Sequence, residues 1–111
     1  MDMRPIGVFD SGLGGLTAVR AIIKTLPNEN IVYLGDTARV PYGPRSKETV
    51  TSFAIEDAKF LSKYNVKCLV IACNTASAYS YGEVKRKFSL PVFDAISPAS
   101  DRPPCGCHLV L

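Results

Sequence analysis

Short apolar runs alternate with stretches of helical period along this chain, and that alternation limits the possible folds more than any other feature. Residues 5–9, 31–34 and 66–72 are strand-like, and residues 91–93 begin a fourth run of the same kind. After the first run, Leu16, Val19, Ile22, Ile23 and Leu26 recur at the spacing of one helix face. Pro27 and Asn28 stop that helix. Ser46 is a natural N-cap for a second helix, marked by Val50, Phe53, Ala54, Ala58 and Leu61 and running to about residue 64. A third is expected over about 76–88, with Tyr81, Val84 and Phe88 on one face. Strands alternating with helices predict an α/β fold with a parallel sheet. Such sheets collect ligands outside the carboxyl ends of their strands. Asp10, Asp36 and Cys73 all fall at those ends.

The chain has 111 residues, 47% of them hydrophobic and 21% charged, which suits one small packed domain. Net charge is +3, with both signs interspersed and no basic run, so a nucleic-acid surface is not indicated. No apolar run has the length of a membrane span or the layout of a signal peptide. Cys68, Cys73, Cys105 and Cys107 do not form a disulfide framework, and a reducing cytoplasm is the expected location. The run Arg102-Pro103-Pro104-Cys105-Gly106-Cys107-His108 has no period. The expected organisation is therefore a domain over 1–100 and a tail without regular structure over 101–111. Cys105, Cys107 and His108 are metal-ligand types, but their spacing fits no zinc pattern.

Three segments could carry chemistry. Asp10-Ser11-Gly12-Leu13-Gly14-Gly15 lies between a strand and a helix, where glycines admit a ligand and a helix start attracts an anion. It fits neither common phosphate template. Thr17 stands where the dinucleotide pattern needs glycine, and the P-loop lysine is missing. A carboxylate ligand suits it equally, and a plain tight turn is the alternative. The loop Asp36 to Gly43 offers the Tyr42 phenol and the bare N–H of Gly43, or it is simply a turn shaped by Pro41, Gly43 and Pro44. Cys73-Asn74-Thr75 puts a lone thiol at a strand's carboxyl end and a helix's amino end. Unpaired N–H groups and the helix dipole favour an anion there. A thiol so placed can ionise near neutral pH and act as a nucleophile or a base. The alternative is a small buried hydrophobe, as expected for Cys68. The polar, cap-forming Asn74 and Thr75 argue against full burial.

Together these segments resemble the glutamate racemase family. The matching residues are Gly7-Val8-Phe9-Asp10-Ser11-Gly12-Leu13-Gly14-Gly15-Leu16, then Tyr33 through Asp36-Thr37-Ala38-Arg39 to Tyr42-Gly43, then Ala72-Cys73-Asn74-Thr75-Ala76-Ser77. The likeness extends over about residues 5–100. It implies the amino-terminal one of the two α/β halves of a racemase fold, truncated after the fourth strand. It implies interconversion of L- and D-glutamate without cofactor or metal, supplying D-glutamate for peptidoglycan. The partner is then a small-molecule substrate, with no nucleic acid and no membrane; full-length members are often homodimers. By the same resemblance Cys73 is one of two catalytic thiols that face each other across the substrate. Asp10 and Ser11 orient the amino group and assist the thiol. Tyr42, Gly43, Asn74 and Thr75 hold the carboxylates. The second thiol belongs to a Gly-Cys-Thr-His segment in the other half of family members, which Gly106-Cys107-His108 resembles only faintly. This polypeptide alone is therefore expected not to racemise glutamate.

Other classes remain. A non-catalytic module holding a small anion such as an amino acid would use the same crevice. A thiol hydrolase or redox domain is disfavoured. No cysteine lies at two-residue spacing from Cys73, and His108 is the only histidine.

Overall fold

The apolar runs form one parallel sheet in a computed structural model, which describes residues 3–11, 15–39 and 44–94. The elements in chain order are β1 (Ile6–Asp10), α1 (Leu16–Thr25), β2 (Ile31–Gly35), α2 (Lys47–Ser62), β3 (Cys68–Ile71), α3 (Asn74–Lys87) and β4 (Val92–Asp94). A short 3-10 turn, Thr37–Arg39, follows β2 in a stretch read from the sequence as a loop without period. The sheet order is β2-β1-β3-β4. β1 pairs in parallel with β2 on one side (Val8 opposite Tyr33) and β3 on the other (Val8 opposite Val70), and β3 pairs with β4.

Burial follows from that order. The central strands β1 and β3 are buried along their whole length, whereas every residue of the edge strand β2 is half-buried. Alternation along each strand sends side chains to two faces. Phe9, Leu69 and Ile71 pack with Val50, Ala54, Leu61 and Val84 from α2 and α3. Ile6, Val8, Cys68 and Val70 pack with Ile22 of α1 on the other face. Of the expected helix-face residues, Ile22, Val50, Ala54, Ala58, Leu61 and Val84 are buried and Val19, Leu26, Phe53, Tyr81 and Phe88 half-buried. Leu16 and Ile23 of α1 are exposed, against expectation, because α1 meets the sheet along a narrower stripe than its apolar residues mark out.

Capping defines the helix ends. Ser46 accepts the Thr49 N–H at 3.2 Å and starts α2. Lys59 near its end and Lys85, Arg86 and Lys87 at the end of α3 complement the negative pole of each helix. Asn65, at φ 55°, turns the chain from α2 into β3, a left-handed position that asparagine tolerates better than most residues. The third strand was expected over 66–72 and is assigned as 68–71. Its hydrogen bonds nevertheless reach further: Lys67 N–H donates to Pro5 O at 2.8 Å and Ala72 N–H to Phe9 O at 2.9 Å. No helix among the described residues is long and apolar enough to cross a membrane. The expected tail over 101–111 lies outside the described residues.

Candidate functional site

β1 and β3 lie side by side, so the residues that leave their carboxyl ends become neighbours. Asp10 ends β1, and Asp36 follows β2 with its N–H donating to Asp10 O at 2.8 Å. Ala72 and Cys73 follow β3. Asp10 and Asp36 are buried. Cys73 and Ser11, from the two central strand exits, come together: the Cys73 thiol donates to Ser11 Oγ at 3.5 Å.

The helix after β3 was expected to begin near residue 76, with Asn74 or Thr75 as its cap. It begins at Asn74, and Cys73 itself is the N-cap, with extended backbone at φ −95° and ψ 127°. Its Sγ accepts the N–H of Ala76 at 3.5 Å, and its carbonyl accepts that of Ser77 at 2.9 Å. The sulfur thus substitutes for the oxygen of an ordinary cap. Asn74 and Thr75 occupy the first turn, one exposed and the other half-buried, at the end of α3 that presents backbone N–H groups. Below them the Ser77 hydroxyl donates to Ile71 O at 3.2 Å and anchors the helix to the strand.

Cys73 is 7% exposed, against 0% for Cys68 inside β3; neither is in a disulfide. The polar neighbours therefore do not keep Cys73 open, as was expected of them. Its side chain folds back over the helix start, resting on the Phe9, Ile71 and Ala76 cluster. It sits at the rim of the core, facing Ser11.

The Asp10 carboxylate is committed to its own loop. Oδ1 accepts the Ser11 N–H at 2.7 Å, and Oδ2 accepts the Gly15 N–H. Tyr33, on the same face of β2, has its phenol pKa raised above 10.0 by burial first and by the Asp10 charge second. Gly15 and Tyr33 stand in segments that the sequence marks, but neither carries a role of its own there. Gly15 stood in a run of glycines with nothing to distinguish it, and Tyr33 read as an ordinary strand residue. Tyr42 and Gly43 lie outside the described residues, as do Gly12 to Gly14 and the group Cys105, Cys107, His108. Among the described residues no three His, Cys, Asp or Glu side chains are grouped to hold a metal. A cavity of about 460 Å³ lies elsewhere, between α3 and the end of β4, bordered by Lys47, Tyr81, Arg86 and Asp94. It does not include Cys73 or Asp10.

Chemically, the assembly is a thiol, a hydroxyl and a backbone-braced carboxylate at adjacent strand ends, beside the amino ends of two helices. It suits a small anionic molecule bearing a weakly acidic C–H or an electrophilic carbon.

Comparison with known proteins adds identity to this geometry. No family model matches the chain. The glutamate racemase of Aquifex aeolicus is 58% identical over 93 residues, which cover 84% of this chain and 37% of that protein. The glutamate racemase of Streptococcus uberis is 53% identical over 100 residues, 90% of this chain and 38% of its own length. Among solved structures, glutamate racemase from Thermus thermophilus in complex with beta-chloro-D-alanine superposes with a TM-score of 0.84 at 49% identity, over 88% of this chain and 38% of that one. The Francisella tularensis glutamate racemase in complex with D-glutamate gives 0.80 at 52% identity, over 85% and 36%. The chain thus spans little more than a third of the length of the relatives it matches.

Proposed function

We propose, from this chain's membership of the glutamate racemase family, that its residues form one side of a site interconverting L- and D-glutamate. Cys73 is the base on that side. Its thiolate takes the α-proton, and the C–H bonding pair is left as a carbanion delocalised into the α-carboxylate. A thiol on the opposite face, carried by the other half of family members, gives its own proton to that carbon, and the configuration inverts. No cofactor or metal takes part. Fixed dipoles must hold the carbanion, and the backbone N–H groups at the start of α3 are the donors that would supply them. Asn74 and Thr75, with Tyr42 and Gly43, hold the carboxylates. Ser11 orients the thiol and the amino group. Asp10 uses the acceptor capacity left by its two backbone donors to attract the ammonium. The role is supply of D-glutamate for peptidoglycan, in the cytoplasm.

The observation that supports this reading most is the position of the Cys73 sulfur, 3.5 Å from both Ser11 Oγ and Ala76 N at the carboxyl edge of the sheet. A one-sided site should exchange hydrogen without inverting carbon. Purified chain is incubated with L- or D-glutamate in deuterium oxide, and the α-proton signal and the enantiomer ratio are followed. The expected result is deuterium entry with retained configuration, lowered by about 100-fold or more in Cys73→Ala. Exchange that survives in Cys73→Ala would remove this role. Glutamate binding by calorimetry with no exchange would instead favour an amino-acid-binding module, a reading that the buried thiol and committed Asp10 carboxylate keep in view.

A further inference from the structure

Gly15 stands where the parts of this site meet. Its backbone is ordinary right-handed helix, φ −66° and ψ −9°, so conformation does not demand glycine. Space does. A Cβ at this position would lie 2.8 Å from Asp10 Cβ, and 3.0 Å from both Ala72 Cβ and Asp10 Cγ. Two of these are first side-chain carbons fixed to backbone at strand exits, which cannot swing aside as the tip of a long side chain can. The Gly15 amide donates to Asp10 Oδ2, and its carbonyl accepts Val19 N–H at 3.1 Å to begin α1. Asp10 and Ala72 directly precede Ser11 and Cys73, the pair in contact at 3.5 Å.

We infer that Gly15 is a positioning residue for this site: its amide braces Asp10, and its missing side chain lets the exits of β1 and β3 close until Ser11 meets Cys73. The inference rests on the reading of Asp10, Ser11 and Cys73 given above. A methyl group at position 15 is overpacking, and the surroundings must move to admit it. The movable parts are the two strand exits, so the Ser11–Cys73 contact opens.

The test is alkylation of the native 111-residue protein with iodoacetamide, with each cysteine mapped by mass spectrometry. Cys68, fully buried within β3, is the internal reference. Global loosening raises both rates, whereas local opening raises Cys73 alone. Gly15→Ala is expected to raise the Cys73-to-Cys68 rate ratio by about fivefold or more. Leu16→Ala, an exposed neighbour on the same helix, should leave the ratio unchanged. Adding Ala72→Gly to Gly15→Ala removes one of the two crowded side chains and should bring the ratio part of the way back. A wild-type ratio in Gly15→Ala, a parallel rise at both cysteines, or a double variant indistinguishable from Gly15→Ala overturns the inference. Glutamate exchange by the wild-type chain is followed alongside. Its absence counts against Cys73 as a base, while the alkylation ratio still judges Gly15.

Discussion

Tyr33 and Cys73 show how surroundings that are distant in sequence decide what a side chain does. The Tyr33 phenol is held protonated by its burial and then by the Asp10 charge, so the folded protein binds this proton more tightly than the unfolded chain does. The resulting stabilisation is fully present below the unfolded pKa of 10.0 and is lost as pH rises through the higher folded value. Melting curves taken at intervals from about pH 9 to about pH 11.5 should therefore fall more steeply for wild type than for Tyr33→Phe, which has no proton to lose. Equal slopes would show that the phenol does not sense folding. Asp10→Asn should recover the smaller share of the difference. At Cys73 the sequence revealed the residue type and its place between strand and helix. It did not reveal that the sulfur would cap the helix and sink to 7% exposure, because that depends on where Phe9 and Ser11 lie.

The helices differ in how openly their boundaries are written. Ser46 caps α2 as its residue type suggests, with its hydroxyl in contact with Thr49 N and Thr49 Oγ1. Ser46→Ala should cost about 1 kcal/mol and lower the melting temperature by roughly 4–8 °C. An unchanged melt would mean that water replaces the cap without loss. The amino end of α3 lies two residues ahead of where its sequence points, since rules built on oxygen caps favour Asn74 or Thr75 and pass over a thiol. The apolar face of α2 was legible because a period of 3.6 residues is local information, whereas of the face expected for α1 only Ile22 is buried and Leu16 and Ile23 are exposed. The 3-10 turn at Thr37–Arg39 was not, since three residues are too few to carry a period.

Across the whole molecule, β1 is the organising strand, with a parallel partner on each side. Its amino edge is held by an ion pair between Lys67, just before β3, and Glu29, just before β2, at 2.5 Å. The two side chains are 7% and 20% exposed, so solvent screens this pair less than an open surface pair. Glu29→Gln should lower unfolding free energy in urea by about 1–3 kcal/mol, between the values for exposed and fully buried pairs. An unaltered urea midpoint would assign the tie across β1 to backbone hydrogen bonds alone.

Fold class and family could be read from the chain because both rest on short-range order: strand and helix periods, and three motifs each contained within about a dozen residues. The strand order β2-β1-β3-β4, the contact between Ser11 and Cys73 across 62 positions, and the crowding of Gly15 against Asp10 and Ala72 could not. Those depend on which strands lie side by side and how closely their exits approach. That is settled by packing two apolar faces against one sheet, and no local pattern encodes it.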